Sequence, residues 1–89
     1  MINDTLTIIN KLGLHARAAA KLVNTAGQFN SDIIFTKNGK QANGKSILSV
    51  MMLAAKQGSE LQIEITGTDE IAAHQAVKQL LERRFDEAE

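Results

Sequence analysis

The 89-residue chain has no cysteine, proline, tryptophan or tyrosine, only three phenylalanines, two histidines, and ten basic against ten acidic side chains. Each shortage removes a class of function. Without cysteine there is no disulfide scaffold, thiol nucleophile or thiolate zinc site. Three aromatic rings are too few for platforms on which bases stack, and a formal charge of zero gives no bulk attraction to nucleic acid or an anionic membrane. No run of about 18 uninterrupted apolar residues occurs, and Met1-Ile2-Asn3-Asp4 lacks the basic region and apolar core of a secretion signal. A soluble cytoplasmic protein is therefore expected. With no internal repeat and no proline-rich or glycine-serine linker, the length holds one domain, residues 1–89, of ordinary globular composition at 44% hydrophobic.

What is present is organised by periodicity. Thr5-Leu6-Thr7-Ile8-Ile9-Asn10 alternates as a first strand, and Ala16, Ala19, Ala20, Val23 and Ala26 recur at helical spacing up to Gly27, a natural residue for closing a helix. Asp32 to Lys37 forms a second strand. Asn38-Gly39 is the two-residue signature of a type I′ hairpin into a short third strand, Lys40 to Asn43. Ser46 is placed to cap a second helix. Leu61, Ile63 and Ile65 alternate with Gln62, Glu64 and Thr66 in a fourth strand buried on one face, and Thr68 or Asp69 starts a last helix whose inner stripe is Ala73, Val77, Leu80 and Leu81. Its end, Glu82-Arg83-Arg84, belongs to solvent. The order β-α-β-β-α-β-α predicts an α+β fold: a four-stranded antiparallel sheet with three helices packed on one face.

Chemistry concentrates at Gly13-Leu14-His15-Ala16-Arg17-Ala18-Ala19-Ala20, where a histidine stands immediately before a helix. The first amides of a helix have no intrahelical acceptor, and the peptide dipoles leave partial positive charge there, so the N–H groups of Ala16, Arg17 and Ala18 would meet an anion carried by His15. Phosphate is the obvious anion. The same dipole favours neutral imidazole, the nucleophilic form, and Arg17 adds a planar charged donor for phosphate oxygens. The plain alternative is a histidine that merely caps a helix.

The Gly-Leu-His-Ala-Arg motif followed by small residues resembles the active-site motif of the HPr family, the histidine phosphocarriers of the bacterial sugar phosphotransferase system. A second stretch, Gly39-Lys40 followed by Lys45-Ser46-Ile47-Leu48-Ser49-Val50-Met51-Met52-Leu53-Ala54, resembles that family's regulatory-serine segment, and the likeness covers essentially the whole chain. It implies an open-faced sandwich fold and a phosphoryl relay that is not itself a metabolic enzyme. His15 would take phosphate on Nδ1 from phosphorylated enzyme I, charged by phosphoenolpyruvate, and pass it to an EIIA-type acceptor, with no cofactor and no metal. It also implies a third partner, a kinase/phosphorylase acting on Ser46, and a monomer that binds neither nucleic acid nor membrane. The residues alone do not choose between the ring nitrogens. Ala18 departs from the usual proline of the family, which exchanges a fixed φ for an extra amide donor.

Two other readings stand beside this one. The first is an HPr-like module whose output is mainly regulatory, in carbon or nitrogen control. The second is nucleotide binding, because residues 39–46 satisfy the Walker A pattern. Against it, Asn38-Gly39 already accounts for a hairpin, no later strand ends in a magnesium-binding Asp, and 89 residues are few for the usual parallel sheet.

Ser46 serves as an N-cap worth about 1 kcal/mol. It can equally carry a phosphate of about −1.5 to −2 charges at the helix start. The second helix is apolar all round. Turning Val50, Leu53 and Ala54 inward leaves Ile47, Leu48, Met51 and Met52 facing out, a soft surface that together with Ala20 and Lys45 suits a carrier meeting several proteins in turn. Complete burial of this helix is the rival expectation. His74 is expected at an edge, without metal-ligand geometry around it. Glu60, Glu64, Glu70 and the Asp86-Glu87-Glu89 run are expected as solvated charge.

Overall fold

The computed structural model describes residues 1–88. Its elements are β1 (Ile2–Thr7), α1 (Ala16–Gly27), β2 (Asp32–Lys37), β3 (Lys40–Asn43), α2 (Ile47–Met52), β4 (Glu60–Thr66) and α3 (Glu70–Glu82), followed by a tight turn over Arg84–Asp86. The four strands form one antiparallel sheet in the order β1-β4-β2-β3. The register pairs Leu6 with Leu61, Ile33 with Ile65, and Phe35 with both Ile63 and Ala42, so each apolar row lies on the same face. Strand β4 shows the strict alternation of its sequence, with Leu61, Ile63 and Ile65 buried and the residues between them exposed. The three helices cover that inner face. The outer face is polar, with Asn3, Thr5, Gln41, Gln62 and Glu64 in water, which an antiparallel sheet tolerates.

Strand β1 begins and ends three residues earlier than expected from Thr5–Asn10. Ile8 still bonds sideways, its N–H to the Ser59 carbonyl at 2.8 Å and its carbonyl to the Gly58 N–H at 2.8 Å, but that partner is a turn and not β4. The chain then turns, leaving Ile9 exposed and Asn10 fully buried. In α1 the buried stripe is Ala18, Ala19, Leu22 and Ala26, rotated from the expected one so that Ala16 faces solvent. Gly27 lies inside this helix, which closes through the N–H groups of Gln28 and Phe29 on the carbonyls of Thr25 and Ala26, both at 3.2 Å.

The Asn38-Gly39 turn has φ of 50° and 82°, the two positive values a type I′ hairpin requires. Helix α2 is short, and its end corrects one inward assignment. Val50 and Leu53 are buried, but Ala54 is exposed at φ 51° and Ala55 takes the inner place. Lys37 Nζ reaches the carbonyls of Leu53 and Ala54, both at 3.1 Å, and so satisfies this helix end. Phe85, beyond α3, joins the core at 1% exposure although Arg83, Arg84 and Asp86 around it are exposed.

Candidate functional site

The site is assembled where the β1–α1 loop, the start of α1 and the C-terminal tail meet. Gly13 gives the loop its shape. Its φ is +69°, and a Cβ there would stand 2.8 Å from the Ala55 carbonyl oxygen and 2.7 Å from the Lys56 Cα, so only glycine lets the two backbones approach. Leu14 donates its N–H to that same Ala55 carbonyl at 2.7 Å, and the Gln57 amide holds the Ile9 carbonyl at 3.2 Å. His15 thus leaves a clamped loop as the N-cap of α1, in extended conformation, with its carbonyl accepting the first helical bond from Ala19 at 2.8 Å. Its side chain makes no capping bond. The amides of Ala16, Arg17 and Ala18 therefore receive no acceptor from that side chain. The plain capping role is the one the structure does not give it.

The ring is instead held from its other side. His15 Nε2 bonds the Glu87 carboxylate, whose second oxygen accepts the Asn10 Nδ2 amide at 2.9 Å. Asn10 also donates to the Gly13 carbonyl at 2.7 Å and is fully buried, which ties the loop, the histidine and the tail together. Its Oδ1 is buried without a hydrogen-bond partner. An orphaned acceptor costs about 1–3 kcal/mol. Turning the amide over would not relieve it, because the oxygen would then face the Glu87 carboxylate and the Gly13 carbonyl. The Asn10 amide is the main reason the Glu87 carboxyl lies below its ordinary value, with the His15 bond and the Lys21 charge adding to it and burial opposing it. Glu87 is thus ionised at neutral pH.

The expectation that Glu87 is merely solvated charge is corrected. The tail is brought in by buried Phe85, whose carbonyl accepts Lys21 Nζ at 2.8 Å, and by positive φ at Arg84, Phe85 and Asp86 that turns the chain back toward α1. The signal available in the sequence was Phe85 itself, one large apolar residue amid charges. Asp86 is exposed, as expected, and Glu89 lies outside the described residues. A shallow groove bordered by Glu87 is lined also by Lys11, Arg17, Lys21 and Asp86. Arg17 is exposed and carries no ion pair or side-chain hydrogen bond among the described residues, so its guanidinium is available to an arriving anion.

Around Ser46 the structure places a real cap. Its Oγ accepts the Ser49 N–H at 3.4 Å and bonds the Ser49 hydroxyl at 3.1 Å, and the residue is half-buried at the start of α2. The Walker-like segment 39–46 is no phosphate cradle. Its Gly44 N–H goes to the Ile33 carbonyl at 2.7 Å, Lys45 N–H to the Asn43 side chain at 2.9 Å and Ser46 N–H to the Asn43 carbonyl at 3.0 Å. Gly44 is required by packing, since a Cβ would lie 2.7 Å from Ile33 Cγ2. Lys45 Nζ is drawn to the Phe29 carbonyl at 2.7 Å. Ile47, Leu48, Met51 and Met52 are all exposed, with Leu48 at 67% and Met52 at 63%, and Leu12 in the active loop adds a further apolar side chain at 69%. Ala20 is half-buried on α1. His74 is half-buried on α3, and its Nε2 bonds Asp4 of β1 at 2.8 Å, a tie between helix and edge strand. Among the described residues no group of three His, Cys, Asp or Glu could hold a metal ion, and no helix is long and apolar enough to cross a membrane.

A histidine at the N-cap position of α1, on a sheet of order β1-β4-β2-β3 with three helices on one side, is an arrangement able to carry an anion at a helix start. Comparison with known proteins gives the family. The family model described as "PTS HPr component phosphorylation site" matches residues 2–83. The phosphocarrier protein HPr of Cupriavidus necator is 51% identical over 89 residues, covering 100% of both chains. Among solved structures, HPr-C-His from Thermoanaerobacter tengcongensis superposes with a TM-score of 0.96 at 42% identity over 100% of both chains. An HPr dimer from the same organism gives 0.79 at 42% identity, covering 98% of this chain and 100% of that one. The chain belongs to the HPr family, and its function is that of a phosphocarrier of the phosphotransferase system.

Proposed function

We propose that His15 Nδ1 receives the phosphoryl group from phosphorylated enzyme I, charged by phosphoenolpyruvate, and delivers it to an EIIA-type acceptor. One observation carries the reading: Nε2 is occupied by Glu87, which leaves Nδ1 as the ring nitrogen open to an electrophile, next to the free amides of α1. Transfer between two histidines proceeds in line, with charge spread over the equatorial oxygens. The N–H groups of Ala16, Arg17 and Ala18, with the Arg17 guanidinium, meet that charge without a metal or nucleotide. The exposed row Ile47, Leu48, Met51 and Met52, flanked by Ala20 and Lys45, is the surface that donor and acceptor cover in turn. Ser46, at the head of the same helix, is a regulatory phosphorylation site for a kinase/phosphorylase. The relay unit is one monomeric domain working in the cytoplasm.

The test is to mix the purified chain with enzyme I and labelled phosphoenolpyruvate. The expected product carries one acid-labile phosphoryl group that disappears in His15→Ala and persists in His74→Ala. Labelling of the His15→Ala protein at the wild-type level would overturn the assignment.

A further inference from the structure

The tail carboxylate is anchored far more firmly than a surface ion pair. Glu87 reaches His15 because Phe85 is buried in the core, Lys21 holds the Phe85 carbonyl, and fully buried Asn10 donates to the carboxylate oxygen not used by the ring. We infer that Glu87 is a positioning residue for phosphoryl transfer, holding the proton on His15 Nε2 so that Nδ1 keeps its lone pair and the charge appearing on the ring is met by a fixed carboxylate. This rests on His15 being the acceptor.

The balance of the step shows what Glu87 contributes. The Nδ1 lone pair forms the new N–P bond while the P–N bond to the donor histidine breaks, its electron pair returning to the donor ring. No proton leaves His15. The ring therefore passes from neutral imidazole with hydrogen on Nε2 to a phosphorylated imidazolium, and its new positive charge faces Glu87. A carboxylate set in this place favours the charged product more than the neutral starting ring, which is the differential stabilisation that lowers a barrier. The same arrangement, a carboxylate fixing tautomer and orientation through the distal nitrogen, serves histidines that act as bases or metal ligands. In the onward step the protonated ring is the better leaving group, so the proton held on Nε2 assists delivery as well as loading.

The readout is the titration of Nε2 in the phosphorylated full-length chain, followed by ³¹P and ¹⁵N NMR, together with steady-state transfer from enzyme I. Glu87 bonds the ring and Asn10 holds that carboxylate, while Asp86 from the tail, Arg17 and Lys21 from α1 and Lys11 from the loop line the groove that Glu87 borders. Of these only Glu87 bonds Nε2. Glu87→Gln keeps an acceptor but removes the charge, and Glu87→Ala removes both. Both variants should lower the phosphohistidine titration by about one pH unit, the effect of losing one adjacent opposite charge. They should reduce kcat about tenfold with KM for enzyme I nearly unchanged. Glu87→Ala should in addition populate the Nδ1–H tautomer of the unphosphorylated ring. If the wild-type phosphoryl group sits on His15 Nδ1 while titration, tautomer and kcat stay the same in both variants, Glu87 only fastens the tail and the inference fails. A phosphoryl group found elsewhere in the wild type would instead overturn the acceptor assignment.

Discussion

Replacing Leu48 by alanine tests whether α2 is built to be covered by partners. Its side chain is 67% exposed in the free protein. Full burial of a leucine side chain contributes about 1.5–3 kcal/mol, so covering the exposed two-thirds in a complex is worth about 1–2 kcal/mol. That converts to a rise in Kd of roughly five- to thirtyfold for Leu48→Ala. The fold should hardly notice, because a surface substitution of this kind stays within about 0.5 kcal/mol. Leu53 provides the control, being of the same chemistry five positions along the chain but 3% exposed. Leu53→Ala should cost about 2–5 kcal/mol of stability through lost transfer energy and the cavity left behind. Initial rates of phosphorylation by enzyme I, measured against carrier concentration, should give a KM for Leu48→Ala raised by that factor with kcat retained. The urea midpoint should match the wild type. Added salt should leave the ratio of the two KM values unchanged, since the missing contact is apolar. A Leu48→Ala protein whose urea midpoint falls toward that of Leu53→Ala while KM holds would show that Leu48 belongs to the core.

Three further outcomes are expected. Ser46→Asp should raise KM with enzyme I more than Ser46→Ala does, with little change in rate at saturation, and high salt should shrink the difference because the penalty is electrostatic; identical KM values at every salt level would leave Ser46 as a helix cap alone. Ala54→Gly should stabilise the fold, because Ala54 is exposed at φ 51°. Relief of about 1–2 kcal/mol of left-handed strain exceeds the glycine entropy cost of about 0.5–1 kcal/mol, which raises Tm by about 2–8 °C; an unchanged or lower Tm would refute the strain argument. Asp69 accepts the Ser31 hydroxyl at 2.5 Å and the N–H groups of Asn30 and Ser31 at 2.8 and 2.9 Å, with the hydroxyl bond the chief cause of a carboxyl held below its ordinary 3.8. Its stabilisation is present above about pH 4 and is lost as the pH falls through the lowered value, so Asp69→Asn should be less stable at neutrality and lose less on acidification. Parallel stability curves for the two proteins would contradict that linkage.

The residues themselves decided a good deal. Asn38-Gly39 demands positive φ twice and so determines the β2–β3 hairpin, and the alternation Leu61, Ile63, Ile65 can bury only one face of β4. The Gly-Leu-His-Ala-Arg motif carries His15 and its helix in a single stretch, because an N-cap and the amides after it are local neighbours. Ser46 is the same kind of local fact. Tertiary structure decided where contacts run between distant segments. The frame of β1 depends on β4 and on the turn at Ser59, which receives Ile8 only after the sheet is formed. The exposure of Ala54 depends on where Lys37 catches the end of α2. The pairing of Glu87 with His15, 72 positions apart, exists because Phe85 finds a place in the core and Asn10 is buried beneath the loop. Local chemistry chooses turns, caps and the place of His15 before its helix. The carboxylate on the far side of that histidine is brought there by packing that closes the chain upon itself, and no local pattern encodes it.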